Sequence, residues 1–159
     1  MDLNRKYIKM CEKAEEVQRE WRPRVGDYFF RKDRKGIGVI TDITPDGIVS
    51  VTYLKIVYDR EFELCNIPGI AGSVNYVKET KIWLPRQDQL QEKLENDYYY
   101  HSFVLDEVND VMKKIYSDDG LYSPFESGEQ FWLAFLMHEK YRKIWSDKKE
   151  EWIETKEGW

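Results

Sequence analysis

The spacing of apolar residues changes twice along this chain, and this change restricts the fold more than any other feature of the sequence. Over residues 3–21, large apolar side chains recur every three or four positions, which is the period of a helix buried on one side. Over residues 25–57, β-branched and aromatic residues dominate, and residues 37–43 alternate as in a half-buried strand. The helical period returns after Leu84. This order of helix, strands and helices predicts an α+β fold.

A single N-terminal helix is predicted within residues 1–22. The side chain of Asp2 can cap its first turn, and Pro23 ends it because proline has no N–H to donate. Its apolar stripe is too short for a stable coiled coil, so we expect the helix to pack on the protein's own sheet. The stripe consists of Leu3, Tyr7, Met10, Ala14, Val17 and Trp21.

A β-rich part is predicted over residues 25–84. Residues 44–47 (TPDG) are typical of a tight turn between two strands. A further strand is expected at 60–64, a loop containing proline and glycine at 66–72, and one more strand within 74–84. Short strands with short links favour a small antiparallel sheet or an SH3-like barrel.

About three helices, packed on the sheet, are predicted over residues 85–146. Pro85 suits a first helical turn, where no N–H is needed, and an apolar stripe covers residues 104–115. The last helix follows Ser127, whose side chain can cap it. Residues 131–137 are all apolar, so we expect these two turns to be buried on every side.

The last helix is expected to continue through Trp145 and to leave residues 147–159 as a tail. Tryptophans recur every seven residues here, at Trp145, Trp152 and Trp159. Tryptophan is enriched at binding hot spots, and the last two lie among charged residues, so Trp152 and Trp159 are candidate protein-binding residues. The alternative is that the tail folds back and both rings pack on the protein.

The composition is that of one globular domain spanning residues 1–159. The chain is 42% hydrophobic and 35% charged, which argues against disorder. No apolar run reaches the roughly 18–20 residues needed to cross a membrane, and the N-terminus lacks a signal-peptide pattern. Cys11 and Cys65 have no close partners, so we expect two reduced thiols in a cytoplasmic protein, with Cys11 buried.

The net charge of −5 argues against a protein that binds nucleic acid over its whole surface. A local basic hairpin nevertheless adjoins the aromatic residues 28–30, and small barrels bind single strands with this combination. The alternative is that these cations keep a hairpin soluble and block edge pairing. The candidate nucleic-acid-binding residues are Arg31, Lys32, Arg34 and Lys35.

Acidic residues on two predicted helices, Glu16 on the first and Asp106, Glu107 and Asp110 on a later one, form a candidate Mg²⁺ site, because carboxylate oxygens are the ligands that this ion prefers. Their spacing resembles that of the all-helical nucleotide pyrophosphohydrolases, which use acidic pairs on facing helices. That resemblance implies a Mg²⁺-dependent nucleotide hydrolase, although the β-rich part departs from an all-helical fold. The alternative is a solvated helix face. The candidate ligands are Glu16, Asp106, Glu107 and Asp110.

Motifs of other common enzyme classes are incomplete. His138 and Glu139 begin a zinc-protease motif, but Arg142 stands where the second histidine would be. The sequence contains neither a P-loop lysine after a glycine-rich loop nor a G-x-S-x-G nucleophile motif. We therefore predict a non-enzymatic protein without a cofactor.

Two segments, 82–91 (IWLPRQDQLQ) and 129–141 (EQFWLAFLMHEKY), resemble small phage and prophage proteins of Gram-positive bacteria. Residues 26–28 (GDY) are a weaker echo of the same group. The resemblance implies an accessory protein of a mobile element that acts inside a bacterial cell, and it carries over no catalytic residue. The expected partner is a host or phage protein.

The charge distribution suggests which kind of protein that partner is. Residues 87–130 contain eleven acidic and only three basic side chains. Opposite charges steer partners together, so residues 88–129 are expected to face a basic protein. No pattern in the sequence fixes an oligomeric state.

Overall fold

The computed structural model confirms the α+β fold, with N-terminal helices, a five-stranded antiparallel sheet and C-terminal helices. The chain divides into two compact units. The helical unit comprises Met1–Ala14 and Arg86–Trp159, and the sheet unit comprises Glu15–Pro85. That residues 1–159 form a single domain stays a prediction. The residues that the structure describes are 1–32, 36–56, 62–95, 105–116 and 124–155.

The chain begins in the helical unit, passes into the sheet unit at Glu15 and returns to the helical unit at Arg86. The helices are α1 (Arg5–Lys13), α2 (Glu15–Arg19), α3 (Val74–Thr80), α4 (Gln87–Glu95), α5 (Leu105–Tyr116) and α6 (Gly128–Tyr141). The strands are β1 (Tyr28–Arg31), β2 (Gly36–Ile43), β3 (Ile48–Ile56), β4 (Phe62–Ser73), β5 (Lys81–Leu84), β6 (Lys143–Ser146) and β7 (Glu151–Glu154).

The sheet of the sheet unit has the order β4-β3-β2-β1-β5, with every neighbouring pair antiparallel. Strands β1 to β4 follow one another as a meander, and β5 returns after α3 to pair with β1. Among the described residues no ladder joins β4 to β5, so the sheet is not closed into the alternative barrel. Strands β4 and β5 are therefore its two edges.

The turn predicted at residues 44–47 is confirmed and sets the β2–β3 register. Gly47 donates its N–H to the Thr44 carbonyl at 2.8 Å, and the Thr44 side chain accepts the N–H of Ile48 at 3.0 Å. Gly47 has a φ of 83°, a conformation that glycine adopts without steric cost. A hydrogen bond from Thr44 lowers the pKa of Asp46, which keeps this turn residue charged.

A row of aromatic side chains crosses the middle of the sheet. Phe29 pairs with Trp83 on one side and with Gly38 on the other, and Gly38 pairs with Tyr53. The Phe29 ring is fully buried and lies directly over Gly38, where a Cβ atom would overlap it. Tyr53 meets Phe29 edge-on, with ring centroids 6.4 Å apart. Glycine is required at position 38 because the Phe29 ring occupies the space of a side chain.

Replacing Gly38 by alanine is expected to lower the free energy of unfolding by about 1–3 kcal/mol, because the new methyl group displaces a buried ring. Urea denaturation followed by circular dichroism measures this loss. The double variant Gly38→Ala, Phe29→Leu is expected to lose less than the sum of the two single variants, because a smaller side chain makes room for the methyl group. Additive losses would contradict the close approach of Phe29 to Gly38.

The helical unit is built around α6, and the burial predicted for residues 131–137 is confirmed for 133–137, whereas Phe131 and Trp132 are half-buried. Helix α6 packs against α1, α4 and β6. Ser127 caps it by accepting the N–H of Gln130 at 3.2 Å, which confirms the predicted cap. Asp2 then accepts hydrogen bonds from the Ser127 hydroxyl at 2.6 Å and the Gln130 amide at 2.7 Å, so the N-terminus is tied to this cap. The buried residues of α6 are Gln130, Leu133, Ala134, Phe135, Leu136, Met137 and His138.

The predicted N-terminal helix is broken in two at Ala14. Ala14 has a ψ of 66°, outside the helical range, and its N–H is shared between the Met10 and Cys11 carbonyls. Helix α2 resumes at the next residue, which belongs to the sheet unit. Asn4, not Asp2, caps α1 by accepting the N–H of Tyr7 at 2.8 Å. Five residues of the predicted stripe are buried nonetheless: Tyr7, Met10, Ala14, Val17 and Trp21.

The prediction that the last helix runs through Trp145 is wrong. Helix α6 ends at Tyr141 because Arg142 adopts a left-handed conformation, with φ 55° and ψ 41°. The next residues form β6, which pairs with β7 in a hairpin that includes part of the expected tail. The hairpin accounts for the seven-residue interval between Trp145 and Trp152, because these two residues lie directly opposite each other.

The loop predicted at residues 66–72 is also wrong, because these residues belong to strand β4. The strand expected within residues 74–84 is confirmed as β5, although residues 74–80 before it form helix α3. Proline is tolerated in β4 because it is an edge strand, where one N–H is not needed for the ladder. Ser73 begins α3 by accepting the N–H of Tyr76 at 3.2 Å, so the strand passes into the helix through a capping serine.

Candidate functional site

An exposed apolar surface lies on the edge strand β4 and the helix that follows it. We call it the β4 surface and define it as Ile67, Pro68, Ile70 and Tyr76. Ile70 is 72% exposed, Ile67 57% and Tyr76 51%, whereas large apolar side chains at the centre of this sheet are buried. Large apolar side chains that stay exposed on neighbouring elements are candidate contacts for another molecule.

The two isoleucines of the β4 surface lie on opposite faces of the strand. Ile67 pairs with Tyr53 and Ile70 with Ser50, and these two residues of β3 lie on opposite sides of the sheet. A partner that contacts both isoleucines must therefore bind around the edge of the sheet and contact both of its faces. The edge strand leaves apolar groups where such a partner can reach them.

Pro68 limits how that edge can be used. It pairs with Thr52 on one side, and its nitrogen carries no hydrogen. A partner strand added along β4 would lack a hydrogen bond at this point, and proline at such positions blocks edge-to-edge aggregation. The β4 surface therefore favours recognition through its side chains over the addition of a long strand.

Tyr76 is held beside the end of β4 by a close approach to glycine. Gly72 has a φ of 107°, and a Cβ atom there would lie 2.8 Å from Cδ1 of Tyr76. The ammonium group of Lys81 lies 5.4 Å from the centroid of the Tyr76 ring, which is within cation–π range. The ring is thus positioned by its neighbours while half of it stays exposed, as is typical of tyrosine at binding sites.

Sequence reasoning missed the β4 surface because it treated residues 66–72 as a loop. In a loop, Ile67 and Ile70 are scattered surface residues that need no explanation. The pattern that would have found them is the pair of isoleucines around Pro68, since proline inside an apolar strand pattern marks an edge.

The candidate nucleic-acid hairpin is described in part. The guanidinium of Arg31 lies 4.7 Å from the centroid of the Tyr53 ring, which is a cation–π contact. Lys32 is exposed, and Arg34 and Lys35 lie outside the described residues. Phe29 is fully buried, so this ring is not available to stack on a base. Nucleic-acid binding by the hairpin stays a prediction.

The candidate metal ligands are divided between the two units. Glu16 lies on α2 in the sheet unit, whereas Asp106, Glu107 and Asp110 lie on α5 in the helical unit. Asp110 pairs with Lys113 at 3.9 Å, and the side chains of Asp106 and Glu107 lie outside the described part. Across the described residues, no three His, Cys, Asp or Glu side chains are grouped to hold a metal ion. The metal site stays a prediction.

The candidate protein-binding tryptophans are also only partly described. Trp152 is half-buried, meets Trp145 with ring centroids 5.1 Å apart, and donates its indole N–H to the Met10 carbonyl at 3.0 Å. The hairpin thus holds this ring against α1, which leaves part of it exposed. Trp159 lies outside the described residues. Their role as binding residues stays a prediction.

The thiol of Cys11 is buried, as predicted. It is 1% exposed, and burial raises the pKa of the Cys11 thiol far above its usual range, an effect that a hydrogen bond with Tyr7 only partly offsets. The group therefore stays a neutral thiol, which is a poor nucleophile. Burial likewise raises the pKa of the neighbouring Tyr7 hydroxyl.

Comparison with known proteins leaves the β4 surface as the main guide to function. No protein-family model, curated protein or solved structure matches the chain. Within the described residues, none of the helices combines the length and the apolar character needed to cross a membrane.

Proposed function

We propose that this chain is a non-enzymatic accessory protein of a phage or prophage, and that it binds a host or phage protein through the β4 surface. The observation that carries the proposal is the exposure of Ile67 and Ile70 on the edge strand and of Tyr76 on the helix that follows it. Apolar groups at an interface bury area from water, and each fully buried isoleucine contributes about 1.5–3 kcal/mol. Two isoleucines and a tyrosine supply enough apolar area for a small binding hot spot.

The charge of the chain supports a basic protein as the partner. The net charge is −5, and exposed carboxylates on α4 and α5 include Asp88 and Asp110. A hydrogen bond from Arg86 lowers the pKa of Asp88, so this carboxylate is charged at neutral pH. A basic partner would be steered towards such a chain, and binding is expected to weaken as salt is added.

A pull-down from a lysate of a Gram-positive bacterium tests the proposal, with and without nuclease. The wild-type chain is expected to retain a basic protein after nuclease treatment, and the double variant Ile67→Ser, Ile70→Ser is expected to lose it. Both side chains are exposed, so these substitutions are expected to change the free energy of unfolding by less than about 0.5 kcal/mol each.

The matched control is Val25→Ser. Val25 is 60% exposed and belongs to the same unit, but it lies before β1 and not on the β4 surface. Retention of the partner by this variant and its loss from the double variant would support the β4 surface. Equal retention by all three chains would overturn it. A protein released by nuclease would instead favour the hairpin that carries Arg31.

A further inference from the structure

A second candidate site lies in the helical unit, in a cavity of about 360 Å³ beside α5 and the C-terminal end of α6. This volume is within the range of sites that hold small molecules, roughly 300–1,000 Å³. The described lining residues are Val111, Lys114, Ile115, His138, Glu139 and Arg142. The cavity is distinct from the β4 surface, which belongs to the other unit.

The helical geometry explains why these side chains meet. On α5, Val111, Lys114 and Ile115 are three and four positions apart and share one face of the helix. On α6, the lining residues come from the last turn and from Arg142, which ends the helix in a left-handed conformation. Its N–H donates to the His138 carbonyl at 3.0 Å, so the position of Arg142 relative to the last turn is fixed.

The charges around the cavity are unequal. Lys114 and Arg142 are both exposed, and neither forms an ion pair with a residue in the part of the chain that the structure describes. Glu139 provides one negative charge, and its Oε1 atom lies 2.8 Å from Nδ1 of His138. Apart from His138, the described lining residues comprise two cations and one carboxylate, which leaves an excess of one positive charge among them.

The cavity also has an apolar wall. Val111 and Ile115 are half-buried on α5, and the His138 side chain is only 5% exposed. A bound molecule would therefore contact apolar atoms with one part of its surface and the two cations with another. That combination selects an amphipathic ligand over a simple ion.

We propose that this cavity binds a small monocarboxylic acid with an apolar body. A carboxylate forms two parallel hydrogen bonds with a guanidinium, so Arg142 is the expected anchor and Lys114 adds a second positive charge. The single excess positive charge matches a monoanion. A phosphate dianion would leave one negative charge without a partner, close to the carboxylate of Glu139. Val111 and Ile115 would cover the apolar body.

Titration of the full chain with benzoate tests the proposal, with amide NMR shifts as the readout. Benzoate is expected to produce saturable shifts at the ends of α5 and α6, including Lys114 and Arg142. Benzamide has the same shape without the charge, and it is expected to bind at least about tenfold more weakly, a difference of roughly 1.4 kcal/mol. Inorganic phosphate is expected to give weaker shifts than benzoate.

Variants separate charge recognition from a general loss of structure. Arg142→Gln combined with Lys114→Gln is expected to weaken benzoate binding at least tenfold while the amide spectrum elsewhere stays unchanged. Lys113→Gln is the control, because Lys113 is also exposed on α5 but pairs with Asp110 and does not line the cavity. Equal binding of benzoate and benzamide, tighter binding of phosphate, or no saturable shift with benzoate would each overturn the proposal.

Discussion

Replacing Trp21 by alanine is expected to lower the free energy of unfolding by about 3–5 kcal/mol. Trp21 is 1% exposed and stacks on Trp83, with ring centroids 6.1 Å apart and ring planes 4° from parallel. Its indole N–H donates to Oδ2 of Asp27 at 2.9 Å, and the same oxygen accepts the N–H of Arg24 at 2.9 Å. Alanine would leave a cavity and remove one of the donors that stabilise the buried Asp27 carboxylate.

Trp21→Phe is the matched control for this loss. Phenylalanine keeps most of the ring and loses the N–H donor, so we expect a smaller cost of about 1–3 kcal/mol, the range for an unsatisfied buried polar group. Urea denaturation followed by far-ultraviolet circular dichroism measures both variants without relying on tryptophan fluorescence. A cost below about 1 kcal/mol for alanine would contradict the buried position of Trp21.

Replacing Leu136 by alanine is expected to lower the free energy of unfolding by about 2–5 kcal/mol. Leu136 is fully buried in the middle of α6, the helix around which the helical unit packs. Its neighbours on both sides along the helix, Phe135 and Met137, are also buried, so little of the lost volume can be filled from solvent or by a surface side chain.

Leu136→Met is the control that shows how much of the loss comes from the reduced side-chain volume and how much from changing the residue at all. Methionine has a similar volume and a flexible side chain, and such exchanges cost less than about 1.5 kcal/mol. The same denaturation experiment compares the two variants. If alanine costs no more than methionine, Leu136 is not part of a close-packed core.

The sequence patterns predicted correctly those elements that are determined by residues close together in the chain. The tight turn at residues 44–47 follows from its proline and glycine, and the start of α6 follows from Ser127, because each depends on neighbours within four residues. The inward-facing stripe of the first helix was also correct, although nothing in the spacing of its apolar residues indicated the break at Ala14. An apolar stripe indicates which side of a helix is buried, but it does not indicate whether the helical backbone is continuous.

Elements that depend on distant partners were predicted less well. Ile144 and Trp145 continue the helical spacing of α6, but they pair with Ile153 and Trp152 across a hairpin. A single left-handed residue, Arg142, decides between the two structures, and arginine is not a residue type that marks such a position. The edge position of β4 likewise depends on its having one neighbouring strand, β3, among the described residues, and its local sign in the sequence is Pro68.

The candidate sites follow the same rule. The basic residues near β1 were noticed because they are adjacent in the sequence, and the tryptophans because they recur every seven residues, but the binding role of both sets stays a prediction. The β4 surface was not, since its exposure depends on where the sheet ends. The cavity beside α6 was missed because its lining residues come from two helices, and Arg142 was considered only as the missing half of a zinc motif.

The most direct test of the central claim is the dissociation constant of the captured protein, measured for three chains after nuclease treatment. The proposal predicts that the Ile67→Ser, Ile70→Ser variant binds at least about tenfold more weakly than the wild type, a loss of roughly 1.4 kcal/mol. Val25→Ser is expected to bind as the wild type does. Equal dissociation constants for all three chains, or binding that requires nucleic acid, would contradict a protein-binding function of the β4 surface.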